Sequence, residues 1–218
     1  MNHPWLHHYP IEKTSEFLIL GTHPPMPYTA PLKYYYGNVG EFWRLLDRVY
    51  PGEGLFVGNT AKLAAIESWQ KQYRVAITDV VAATNGEPFN TDKDMVVTRL
   101  NANLLDELGH SKVHAIYFTS FAGKNNALSL FRRLLKENGH KHVRISDVKE
   151  WHADGLSIQL SEKEYTLHAL YSPSPSANRA ASRVQPYQKW KNEQKEGMPN
   201  SYFDFRVWWY AQRLPLKK

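Results

Sequence analysis

The chain has 218 residues, 42% of them apolar and 22% charged, with 12 glycines, 13 prolines and no cysteine. This composition excludes collagen-like and wholly disordered chains, and the missing thiols exclude disulfides, thiolate zinc sites, a cysteine nucleophile and cysteine-held iron–sulfur clusters. The net charge of +6 is basic without being extreme, and the length suits one domain, 1–218, with a core that needs no staples.

Met1-Asn2-His3-Pro4-Trp5 has no basic region leading into an apolar one, so no signal peptide is expected. No apolar run approaches the roughly 20 residues that span a bilayer. A soluble, cytoplasmic protein without membrane contact is the expectation. Phe17-Leu18-Ile19-Leu20 reads as a buried strand ending at Gly21. Thr22-His23-Pro24-Pro25-Met26-Pro27 must then be a loop, because its prolines remove donors and hold an extended path. Phe42, Leu45, Leu46 and Val49 recur at helical spacing until Pro51 stops the run. A second helix is predicted over Thr60 to Gln72, and a strand over Val75 to Val81 that runs into Thr84-Asn85-Gly86.

Leu100, Leu104, Leu105 and Leu108 mark a third helix closed by Gly109. Ala115 to Phe118 reads as a strand, followed by a helix from about Lys124 to Asn138. Leu156 to Leu160 and Tyr165 to Leu170, around a charged turn, read as a hairpin. Helical segments near Val184–Gln194 and Tyr202–Arg213, rich in basic and aromatic residues, complete the pattern. Short links between alternating strands and helices predict an α/β fold: a three-layer α/β/α sandwich around a central, mostly parallel four-stranded sheet.

Ligands of such sheets bind beyond the carboxyl ends of the strands. Gly21–Pro25, Asp79–Asn85, Thr119–Gly123 and Ser172–Ser176 each follow a predicted strand, so they are expected on one rim. His23, held by prolines, is placed to orient water or donate a hydrogen bond, or else belongs to a stiffened surface loop. Tyr34-Tyr35-Tyr36 precedes Gly37 and offers a stacking face for a base, most plausibly through Tyr35, since three consecutive tyrosines cannot all face one core. Ser172-Pro173-Ser174-Pro175-Ser176-Ala177-Asn178-Arg179 presents an extended backbone, free hydroxyls and positive charge to phosphates. The histidine pairs lack metal-ligand spacing, and no P-loop, dinucleotide fingerprint or nucleophile elbow occurs.

Taken in order, four segments resemble the uracil-DNA glycosylase superfamily across about residues 17–180. Leu18-Ile19-Leu20-Gly21-Thr22-His23-Pro24 is similar to its first motif, a strand followed by G-x-[D/N]-P. Tyr35-Tyr36-Gly37-Asn38-Val39-Gly40-Glu41-Phe42-Trp43 is similar to a segment of the mismatch-specific and hypoxanthine-removing branches. Ile77-Thr78-Asp79-Val80-Val81 resembles the central strand, and Leu170-Tyr171-Ser172-Pro173-Ser174-Pro175-Ser176-Ala177 the second motif. His23 stands where the family carries an acidic or amide residue, and Ser172 where the uracil-specific branch has histidine.

The resemblance implies a cofactor-free, metal-free DNA glycosylase that hydrolyses the bond to a deaminated base, uracil or hypoxanthine in type, flipped from DNA carrying a damaged or mismatched base. In that picture His23 and Asn38 position water. Thr22, Tyr35, Asp79, Asn85 and Ser120 bind the base, while Ser172, Ser174, Ser176, Asn178 and Arg179 hold phosphates. The expected protein acts as a monomer in base excision repair. Lys189, Lys191, Arg206 and Arg213, interleaved with Trp190, Trp208 and Trp209, would favour a polyanion. Two other readings stand beside it: a non-cutting reader of damaged bases with the same fold, and an unrelated α/β enzyme acting on a small nucleotide or sugar phosphate.

Overall fold

The computed structural model describes residues 1–28, 30–37, 41–152 and 154–215. In chain order these form β1 (Phe17–Gly21), α1 (Glu41–Val49), β2 (Phe56–Val57), β3 (Thr60–Ala61), α2 (Leu63–Tyr73), β4 (Val75–Asp79), β5 (Val81–Thr84) and β6 (Val97–Leu100). They continue with α3 (Asn103–His110), β7 (Ala115–Phe118), α4 (Ala127–Glu137), β8 (Leu156–Leu160), β9 (Lys163–Ala169), α5 (Gln185–Glu193) and α6 (Tyr202–Ala211).

The main sheet runs β4-β1-β7-β9-β8. Strands β4, β1, β7 and β9 are parallel, while β8 pairs antiparallel with β9. The sheet therefore has five strands where four were expected, because the first arm of the predicted hairpin joins it as an antiparallel edge. Strand β1 sits between β4 and β7, and its apolar run is buried on both faces. Leu18 and Leu20 pack with α3 and α4, whereas Ile19 packs on the opposite side with α1, α2 and α6. Alternating side-chain direction in the strand thus produces three layers. Among the described residues no helix is long and apolar enough to cross a membrane.

Three sequence expectations change. Thr60 and Ala61, expected to open the second helix, form β3, and that helix starts at Leu63. The strand expected over Val75 to Val81 divides at Val80: Val80 and Val81 still donate to the Gly21 and Thr22 carbonyls, after which β5 leaves to pair with β6. Leu100, expected in a helix, ends β6, and the helix starts at Asn103.

The C-terminal helix α6 is tied down by a charge. Arg206, expected as a surface cation, is fully buried. Its Nη2 reaches Glu41 Oε1 at 3.1 Å, and its Nη1 donates to the Ser172 carbonyl at 2.9 Å and toward that of Ser174 at 3.4 Å. One guanidinium thus joins α6, the start of α1 and the segment after β9. Arg206→Ala leaves Glu41 with Arg44 alone and two carbonyls without this donor, and is expected to lower unfolding free energy by about 1–3 kcal/mol in urea denaturation.

Candidate functional site

All four polar segments reach one cavity of about 460 Å³ at the carboxyl ends of the parallel strands. Thr22 to Pro25 come from the end of β1, Asp79 from β4, Thr119, Ser120 and Ala122 to Lys124 from the end of β7, and Ser172 to Ala177 from the end of β9. Two further groups close it: Tyr36, Glu41 and Phe42 on one side, and Phe89 to Lys93, from the connection between β5 and β6, on another. That connection is held by Met26 and Phe89, which exchange backbone hydrogen bonds, and by Asn125 Nδ2, which donates to the Asp92 and Met95 carbonyls.

The aromatic wall is Tyr36 stacked on Phe42, with ring centroids 4.0 Å apart and planes at 29°. Tyr36 adopts a left-handed backbone, φ 54°, which costs a bulky residue about 1–2 kcal/mol. Its hydroxyl pairs with Thr119 Oγ1 at 2.8 Å, and Thr119 Oγ1 in turn donates to the Leu20 carbonyl. Burial and the nearby Asp79 raise the Tyr36 pKa well above its usual range, so the hydroxyl stays protonated. Tyr35 lies elsewhere. It is buried among the side chains beneath α1, with its hydroxyl 3.4 Å from Thr78 Oγ1, and Tyr34 donates to Gln70.

Two carboxylates meet the cavity with different partners. Asp79 Oδ2 accepts from His3 Nε2 at 2.9 Å. His3 Nδ1 accepts the backbone N–H groups of Trp5 and Leu6, which fixes the tautomer that donates to Asp79. Among the described residues the Asp92 carboxylate accepts only from Thr22 Oγ1, at 2.9 Å, and it has no ion-pair partner. Its pKa is raised from 3.8 to about 6, first by burial and then by Asp79, with the Thr22 bond opposing.

His23 also lines the cavity, with both ring nitrogens engaged. Nδ1 donates to the Pro24 carbonyl at 2.8 Å, and Nε2 faces the Tyr28 hydroxyl at 3.3 Å. Burial, reinforced by neighbouring His3, lowers its pKa to about 4, so the ring is neutral near pH 7.

The serine-proline segment forms the opposite rim. Ser174 Oγ caps the 3₁₀ turn Pro175–Arg183 by accepting from the Ser176 amide, and lies 2.8 Å from Ser176 Oγ. Ser174 and Ser176 are exposed, as are Lys93 and Lys124 at the cavity edge. Asn178 and Arg179 are exposed on the turn but do not line the cavity. Asn85 is likewise outside it, accepting from the Glu87 amide in its own turn. Asn38 lies outside the described residues. Thr22, His23, Asp79, Ser120, Ser172, Ser174 and Ser176 are thus brought together. Sequence reasoning favoured Tyr35 over Tyr36 within the stacking face, read Phe42 by its helical spacing, and missed Asp92 and the lysines. The available signal for Asp92 was the polar run Asn90-Thr91-Asp92-Lys93-Asp94, too long to be a tight turn. Among the described residues no group of three or more His, Asp or Glu side chains is placed to hold a metal ion.

No protein-family model matches the chain, and no curated protein does. Among solved structures it is similar to the solution NMR structure of "a putative Uracil DNA glycosylase from Methanosarcina acetivorans", with 21% identity and a TM-score of 0.46. That match covers 78% of this chain and 83% of the other. The chemistry open to the cavity is read from its own residues.

Gly21 decides whether the cavity can close. A Cβ there would stand 2.2 Å from Asp79 Oδ1 and 2.4 Å from the Tyr36 hydroxyl; His3 holds that carboxylate through its other oxygen, Oδ2, and Thr119 holds the hydroxyl. Gly21→Ala is expected to displace the carboxylate or the ring and to cost about 1–3 kcal/mol, read as a lower urea midpoint with an unchanged slope.

Proposed function

We propose that the protein hydrolyses the N-glycosidic bond of a deaminated base, uracil or hypoxanthine in type, extruded from DNA into this cavity. The observation that carries the reading is one strand-end cavity holding an aromatic stack, a desolvated carboxylate without an ion-pair partner, and an exposed serine-proline rim flanked by lysines. The size falls within the usual range for small-ligand sites. The order of motifs along the chain supports the same assignment.

In this reading the flipped base stacks against Tyr36 and Phe42, an interaction worth about 1–3 kcal/mol. The Ser120 hydroxyl and the remaining oxygen lone pairs of Thr119 and Tyr36 supply polar contacts to its edge. Asp92, oriented by Thr22, accepts a proton from water as that water adds to the sugar carbon, and the base departs with the bonding electron pair. Asp79, held by His3, points its second oxygen toward the region where positive charge develops on the sugar. Ser174, Ser176, Lys93 and Lys124 hold flanking phosphates. Neutral His23 keeps its Nε2 lone pair toward Tyr28 and serves as a wall rather than a base. A non-cutting reader is the second reading, favoured by the engagement of both His23 nitrogens within the protein.

The test is strand cleavage after alkali on labelled duplexes carrying uracil, hypoxanthine or xanthine. One of these is expected to be cut, and Asp92→Asn to slow it about 100-fold or more. Duplex binding without cleavage of any substrate assigns the reader instead.

The Asp92 pKa sets two opposite pH effects. The rate should rise with pH through about 6 as the base ionises, and the residual rate of Asp92→Asn should lack that rise. Stability runs the other way. Between 3.8 and about 6 the folded state binds the Asp92 proton more tightly than the unfolded chain does, so this carboxyl's contribution falls as pH rises. Asp92→Asn is therefore expected to be more stable than the parent at pH 7.5, by roughly 1–3 kcal/mol in urea denaturation.

A further inference from the structure

A second cavity, about 670 Å³, opens beside the first and belongs to none of the chemistry above. The two share the same rim of the sheet. Along the segment after β7, Thr119, Ser120 and Ala122 face the first cavity and Phe121 the second; after β9, Tyr171 faces the second and Ser172 onward the first. Phe121 packs edge-to-face on Tyr171, centroids 5.3 Å apart, so these two rings are the partition. Tyr171 continues edge-to-face onto Trp209 at 4.9 Å, and the Arg213 guanidinium lies 3.4 Å over the Trp209 ring. Trp151 completes the aromatic lining.

The charged groups in this lining are mostly cationic. Arg132, Lys149 and Arg213 stand against a single carboxylate, the exposed Asp147. Among the described residues neither arginine forms an ion pair. Arg213 donates to the Trp209 carbonyl, Arg132 donates to the Ser146 carbonyl, and Arg132 Nε is buried with no partner at all. Partly desolvated guanidinium groups without carboxylates are rare unless an anion meets them. The His168 ring in the same lining is stacked on Tyr117, centroids 4.7 Å apart, and adds a flat neutral face.

We propose that this second cavity is a nucleotide-binding subsite, taking an aromatic base against its ring lining and a phosphate on Arg132, Arg213 and Lys149. The occupant is one nucleotide, supplied either by the strand whose flipped residue fills the first cavity or as a free monophosphate. The strand source rests on the proposed glycosylase reading; the base-plus-phosphate chemistry does not. Arginine suits this task because its planar fork binds phosphate and stacks on rings at once. A strand spanning both cavities would cross the Phe121–Tyr171 partition between consecutive or nearby nucleotides.

The experiment is calorimetric titration of the full chain with deoxyadenosine monophosphate, with deoxyadenosine, with inorganic phosphate, and with a short oligothymidylate. The monophosphate or the oligonucleotide is expected to bind more tightly than the nucleoside or phosphate alone. Arg213→Gln should weaken that binding about tenfold or more, and Lys149→Gln by a smaller factor. Lys149 is exposed, so its variant decides the matter if Arg213→Gln fails to fold. Binding of the oligonucleotide alone, with these losses, assigns the strand source; binding of the monophosphate alone, with the same losses, assigns a free nucleotide. Failure of both ligands to bind, or binding indifferent to both substitutions, overturns the subsite. Neither result depends on cleavage: variant-sensitive binding without cleavage would overturn only the glycosylase reading, and cleavage with variant-insensitive binding only this one.

Discussion

The cavity depends first on a buried positive charge. Arg206 has no access to water, and its compensation comes from three separate places: Glu41, the Ser172 carbonyl and, more distantly, the Ser174 carbonyl. A guanidinium so placed is intolerant of losing any partner, because desolvation of the charge is large and fixed while each hydrogen bond returns only part of it. The geometric consequence is the useful one. Glu41 precedes Phe42, so the residue that answers Arg206 also sets the aromatic wall, and the carbonyls it binds belong to the serine-proline rim. Arg44 and the Tyr202 ring add to the same cluster, at 3.1 Å from Glu41 and 5.1 Å from the guanidinium.

A second tie acts from the opposite side. The segment around His3 folds over the end of β4, where its ring donates to Asp79 and packs edge-to-face against His23 at 4.9 Å. Backbone amides of Trp5 and Leu6 hold the ring in place. Gly21 then allows Asp79 and Tyr36 to approach closer than any side chain would permit. The sheet supplies the platform, but side chains distant in sequence fix the walls: His3 with Asp79, Tyr36 with Thr119, and Thr22 with Asp92.

What was legible in the sequence follows from how far each signal reaches. Runs such as Phe17–Leu20 and Ala115–Phe118 are apolar because both faces are covered, and that pattern is local. The helical spacing of Phe42, Leu45, Leu46 and Val49 is local too, and all four are buried. Chain order alone placed four polar segments after strands, and strand direction brings them together. Arg206 was misread because composition counts a charge without knowing its partner, and Glu41 stands 165 residues away. Asp92 was missed for a related reason: it arrives from the β5–β6 connection, which no strand-end rule marks, and the Asn125 side chain holds it there from the other end of the cavity. Among the three tyrosines, reasoning recognised that one must leave the core. Only the left-handed turn at Tyr36 decides which.

The two carboxylates differ in what offsets their burial. Asp79 ends β4 whereas Asp92 arrives from the β5–β6 connection, and Asp79 raises the cost of charge on Asp92. Asp79, though buried, receives a histidine N–H. Asp92 receives one hydroxyl, which is too little to offset its desolvation, and its proton is held to about pH 6. A carboxyl in that condition weakens the fold at neutral pH, as does a tyrosine with positive φ. Both liabilities line the same cavity, whose other parts are tied by Arg206 and by His3. Strain and desolvation are therefore concentrated where a ligand would relieve them, and the surrounding fold is stiff enough to keep them there.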